Sequence, residues 1–174
     1  MPTGRPVRAG CDKDGRDNRA RRAGAVERAL QRYADRGVFR DFSACQERGG
    51  RLAFRFTWLM RRPMTLTFEP RTAALTFAIV LPGVGSVSAL STDLFALIDE
   101  RRTRAVPAHK RIDGRRVRLN RFTRRGDLSV ALIVRGQHHA YAVQRGLNLV
   151  NDLFVLLHST YPDYLSEHFG LLEE

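Results

Sequence analysis

Val150-Asn151-Asp152-Leu153-Phe154-Val155-Leu156-Leu157-His158 has a second copy in this chain. The earlier copy is Ser91-Thr92-Asp93-Leu94-Phe95-Ala96-Leu97-Ile98-Asp99, at an offset of 59 residues. Asp93, Leu94, Phe95 and Leu97 recur as Asp152, Leu153, Phe154 and Leu156. Each copy has apolar residues at helical spacing and follows a run of alternating, strand-like sequence. The pair therefore predicts an architecture used twice, in which three strands are closed by a helix.

Working outward from the copies, Leu94, Leu97, Ile98 and Arg101 trace one face of a helix over Ser91–Arg102. Ser91 is the expected N-cap, and Asp93 is expected in the first turn, where the helix dipole favours an anion. The second helix is expected from Leu147 to Ser159, with Leu147, Val150, Leu153, Phe154 and Leu157 inward and Pro162 ending it. Tyr164–Leu172 offers a short further helix through Leu165, Phe169 and Leu172.

Before the first copy, Leu52, Phe54, Phe56 and Trp58 alternate with Ala53, Arg55 and Thr57, the pattern of a strand with one buried face. Met64, Leu66 and Phe68 continue it after a turn at Met60–Pro63, and Leu75, Phe77, Ile79 and Leu81 follow a turn at Glu69–Thr72. The short connections imply antiparallel pairing. Before the second copy, Val117–Phe122, Leu128–Arg135 and a run through Tyr141 and Val143 supply three more strands, with a turn at Arg135–Gln137. Val26, Leu30 and Tyr33 mark an N-terminal helix over Ala25–Arg36, stopped by Gly37. Residues 1–24 are Arg-, Asp- and Gly-rich and read as a disordered basic tail, leaving 25–174 as a single α+β domain with helices on one face of an antiparallel meander sheet.

The element order resembles the type III secretion chaperone-like fold, including the YbjN family of small bacterial proteins, over roughly residues 25–160. The Leu147-Asn148-Leu149-Val150-Asn151 opening of the last helix is similar to the Asn-bearing helix of such domains. The resemblance implies a dimerising, partner-binding fold without an active site.

Composition narrows the function classes. The two cysteines, Cys11 and Cys45, make no disulfide framework, as expected of a reducing compartment. No apolar run reaches the ~18–20 residues of a membrane span, and Met1–Gly24 lacks the apolar core of a secretory signal, so the expected location is the cytoplasm. The net charge of +12 is unevenly spread. Arg101–Arg125 carries eleven Lys or Arg residues against Asp113 alone, whereas Gly146–Glu174 carries five acids and no Lys or Arg. Such a basic stretch attracts nucleic acid, acidic proteins and anionic lipid surfaces alike.

Chemistry-bearing motifs are sparse. His109, His138, His139, His158 and His168 have no metal-ligand spacing and are expected to be exposed or structural, with His138-His139 on a strand beside the hairpin turn. Cys45 sits among polar residues that read as loop. Gly83-Val84-Gly85 lacks the third glycine of a dinucleotide fingerprint. Asp93 and Asp152 read as dipole partners of their helices. No catalytic, cofactor or metal site is expected. The anionic-partner candidate is Arg115, Arg116, Arg118, Arg121, Phe122, Arg124 and Arg125, with Arg116, Arg118, Asn120 and Phe122 on one strand face. Arginines around an aromatic on a sheet can hold phosphates and stack a base; charges on an edge strand also prevent sheet-to-sheet aggregation. The expectation is a non-catalytic protein-interaction module of chaperone-like, homodimeric type, with nucleic-acid binding through residues 101–125 as the alternative.

Overall fold

The computed structural model describes residues 11–85 and 88–170. An N-terminal helix, a six-stranded antiparallel sheet and three further helices make an α+β fold. The elements are α1 (Cys11–Asp35), β1 (Arg40–Gln46), β2 (Leu52–Trp58), β3 (Arg62–Glu69), β4 (Ala74–Leu81), α2 (Ala89–Glu100), β5 (Val117–Arg124), β6 (Asp127–Val134), α3 (His139–Thr160) and α4 (Pro162–Phe169). The sheet order is β1-β2-β3-β4-β6-β5, so the chain leaves β4 through α2 and returns one strand position further out.

The helices lie on one face of the sheet. Registered pairs set Phe54, Leu66, Phe77, Val130 and Arg121 in one row across five strands, and Leu52, Phe68, Leu75, Leu132 and Leu119 in the next. Gly146 of α3 sits directly over Phe77 and Leu132. Val26 and Leu30 of α1, Leu94 and Ile98 of α2, and Leu153, Phe154 and Leu157 of α3 join these rows in one core. The two copies therefore match in place as well as in letters: Leu94 and Leu153 are both fully buried.

Several expectations are corrected. The strands divide four and two about α2, instead of three and three. Tyr141 and Val143 belong to α3, which starts at His139; its buried positions, among them His139, Ala142, Val143, Gly146, Leu147 and Val150, keep helical period throughout. The missing strand is β1, on the sheet edge, where Phe42 is half-buried and every other residue is exposed. It carries no alternation to read. Cys45 is thus an exposed free thiol on a strand; the Cys11 side chain lies outside the described ones.

Residues 11–24 are helical, extending α1 well before Ala25, while residues 1–10 lie outside those described. A helix already docked at Val26 and Leu30 can elongate cheaply into solvent, because each added residue gains a bond without a new nucleus. In β4, Ile79 does not join the inward row: Phe77 pairs Val130 and Leu81 pairs Leu128, so a bulge intervenes. Ile79 sits at φ 50° and is 58% exposed. The N-cap of α2 is Ser88. Its Oγ accepts the Ser91 N–H at 3.0 Å while Ser91 Oγ accepts the Ser88 N–H at 2.9 Å, so Ser91 closes a capping box from inside the helix.

Candidate anionic-partner surface

β5 is the sheet edge beyond β6 and carries most of the candidate residues. Because side chains alternate across a strand, its residues divide between two environments. Arg118, Asn120 and Phe122 point to the face that bears no helix, with Phe122 45% exposed. Arg121 points the other way, in the row of Val130 and Phe77. There its guanidinium lies 2.9 Å from Asp99 Oδ2 and 4.1 Å from the centroid of the Phe95 ring, both on α2. Arg116 precedes the strand. Its guanidinium stacks 5.0 Å from the Tyr141 ring and lies 3.9 Å from Asp113, so it does not share the face of Arg118. Arg115 is exposed beside the Asp113 turn, and Arg124 and Arg125 are exposed at the β5–β6 turn.

Much of the basic segment is neutralised by the helices. Arg101 reaches Asp152 Oδ2 at 2.7 Å, Lys110 approaches the same carboxylate at 3.7 Å, and Arg102 binds Asp99 at 2.6 Å. The Arg121 hydrogen bond, aided by its charge and that of Arg102, holds the Asp99 carboxyl below the usual carboxylate range. Asp152 lies in the middle of α3 and Asp93 past the first turn of α2, so neither is a dipole partner. Asp152 is instead the anchor of the basic segment, and Asp93 accepts a hydrogen bond from Tyr161. Among the described residues, Arg115, Arg118, Arg124 and Arg125 make no ion pair.

The helix-free face extends this surface. Ala53, Arg55 and Thr57 of β2, Thr65 and Thr67 of β3, Ala74 and Thr76 of β4, and Ser129, Ala131 and Ile133 of β6 continue it from β5. Apart from Arg55 and Ile133, these side chains are small or hydroxylated. The polar member of each strand alternation was the available signal, but a solvated face gives the same letters.

The remaining motifs occupy ordinary positions. Gly83 and Gly85 donate their N–H groups to Asp127 and to the Gly126 carbonyl in the loop after β4. His138 and His139 stand at the start of α3, not on a strand; His138 is exposed and His139 buried. Among the described residues no group of three His, Cys, Asp or Glu side chains could hold a metal ion, and no helix is long and apolar enough to cross a membrane. No family model, no curated protein and no solved structure matches this chain.

Proposed function

We propose that this chain is a non-catalytic interaction module that receives an acidic protein surface on its helix-free sheet face. The observation that carries the reading is the division of β5: Arg121 is spent on α2, while Arg118 and Phe122 stand unpaired on the open face with Arg115, Arg124 and Arg125 at its ends. The small Thr, Ala and Ser side chains of that face let a partner approach closely. Phe122 supplies the apolar anchor, and the arginines supply steering and bidentate pairing with carboxylates. The chaperone-like resemblance fits this reading, and a homodimer fits it where the acid-bearing Gly146–Glu174 stretch of one copy meets β5 of the other.

The same four arginines around an exposed aromatic favour a second reading, in which single-stranded nucleic acid lies along β5. Replacement of Phe122 by a photo-crosslinking benzoyl-phenylalanine separates the two. Nuclease-resistant protein adducts at position 122, with none at Val155 on the outer side of α3, are the expected result. Nuclease-sensitive adducts transfer the site to nucleic acid. Equal adducts at positions 122 and 155 overturn both.

A further inference from the structure

We propose that the fork between β3 and β4 is a binding site for a small carboxylic acid with an apolar body. The β3–β4 ladder stops at Leu66 and Phe77, although both strands run four residues further, to Arg62 and Leu81. Pro63 brings no N–H to this stretch. The bulge at Ile79 turns β4 aside, and the Ile79 N–H donates to Ser129 Oγ of β6 at 3.1 Å. A cleft of about 290 Å³ opens in the fork, at the small end of the ~300–1,000 Å³ range of ligand sites.

The lining combines an apolar interior with polar main chain. Phe77, Val80 and Phe154, all buried, form its inner wall, and Phe169 of α4 closes one side. The residues from Arg62 to Thr65 and from Ala78 to Val80 also line it. In an antiparallel pair, alternate residues turn their N–H and C=O toward the neighbouring strand. Beyond Leu66 and Phe77 such groups therefore meet the cleft instead of a ladder partner. Strain is an independent observation. Ile79 lines the cleft at φ 50°, where a β-branched residue is seldom found. Strained backbone clusters at ligand sites, and here it keeps the fork open.

Arg62 sets the charge of the ligand. Among the described residues it is the one charged member of the lining, exposed at the rim, and it makes no ion pair. Its guanidinium donates to the His168 carbonyl at 2.6 Å and lies 4.5 Å from the centroid of the Phe169 ring, so the end of α4 holds it in place. The N–H groups not given to His168 remain for a carboxylate. One cation matches one negative charge. A phosphate dianion would leave its second charge uncompensated against apolar walls. The body of the acid displaces water from Phe77, Val80 and Phe154, which favours an aryl or alkyl group.

The test uses the full chain with isotope-labelled methionine methyl groups, because Met64 lines the cleft and Met60 does not. The probes are phenylpropionate and octanoate. Phenylpropanol supplies the same body without charge, and acetate the charge without the body. Both acids are expected to shift the Met64 methyl resonance saturably and to raise the melting temperature, whereas acetate does neither. The alcohol is expected to bind about tenfold more weakly than its acid. The tighter acid shows whether the body is aryl or alkyl. Arg62→Gln should lower the acid to the affinity of the alcohol and leave the alcohol unchanged. Ala78→Leu, exposed on the cleft wall, narrows the site with Arg62 in place and should weaken acid and alcohol together. That variant keeps the site testable if α4 loosens without Arg62. Arg118→Ala leaves binding unchanged, so failure of the β5 surface and failure of this cleft read out separately. A Met64 signal that does not move, equal affinity for acid and alcohol, or binding that survives Ala78→Leu overturns the site.

Discussion

At Gly146 a methyl group has nowhere to go. A Cβ there meets Phe77 Cε2 at 2.7 Å and Leu132 Cδ1 at 3.2 Å, both in the sheet core. Alanine is the better helix former by ~1 kcal/mol, but overpacking a core costs ~1–3 kcal/mol. Gly146→Ala is therefore expected to lower stability in a denaturant titration; a gain would mean that α3 can lift from the sheet freely. His139 gives the second prediction at this scale. Burial, then Arg22, lowers its pKa from 6.5, so the unfolded chain takes up a proton that the folded one refuses. Its contribution is complete above about pH 6.5 and is lost as pH falls toward the depressed folded value. His139→Phe keeps the contact with Phe68 and should flatten the loss of melting temperature between pH 7 and pH 5. An unchanged slope assigns the acid sensitivity to other groups.

Among the elements, β4 carries a cost that can be relieved. Ile79 is β-branched, exposed, and held at φ 50° in the bulge, where only glycine is at ease. The left-handed region costs an ordinary residue ~1–2 kcal/mol, and glycine's extra chain entropy returns ~0.5–1 of that. Ile79→Gly is expected to leave stability level or raise it by about 1 kcal/mol. A loss above that size means the Ile79 side chain is held by something on its surface. The bulge matters because the β3–β4 ladder ends at Leu66 and Phe77, and a cleft of about 290 Å³ opens beyond it beside Arg62 and Met64. The start of α2 supplies the complementary case. Ser88→Ala removes the acceptor of the Ser91 N–H and should cost ~1 kcal/mol, read as a shifted denaturation midpoint with unchanged slope.

For the whole molecule, charge is the variable. The chain is +12, yet Asp99 and Asp152 draw Arg101, Arg102, Lys110 and Arg121 back onto the helices. What remains outward on β5 and its ends is Arg115, Arg118, Arg124 and Arg125. If single-stranded nucleic acid binds there, four phosphate contacts at ~0.7 each give a log–log salt slope near −3. A slope near −6 would require the four ion-paired basic residues as well and would show that their salt bridges open on binding. Arg118→Glu with Arg124→Glu should abolish partner binding while leaving the melting temperature within a few degrees, since neither side chain is buried.

The residues by themselves decide what is local. Alternation at Leu52–Trp58 and at Leu66–Phe68 marked β2 and β3 with their buried faces, and helical spacing at Leu153, Phe154 and Leu157 marked the heart of α3. The repeat foretold two helices sharing a core with one sheet. Tertiary structure alone decided the rest. β1 exists because β2 offers an edge, and an edge strand needs ladder bonds more than an apolar face. α3 begins at His139 because Gly146 lets that stretch lie close on Phe77 and Leu132, a contact invisible along the chain. The basic segment read as one surface, but a strand sends neighbouring side chains to opposite faces. Once α2 covered one face, Arg121 became a structural partner and Arg118 an exposed one. The α1–α3 junction was the least legible, because Arg21 and Arg28 of α1 are far from His139 in sequence and only the packing of the two helices brings them together.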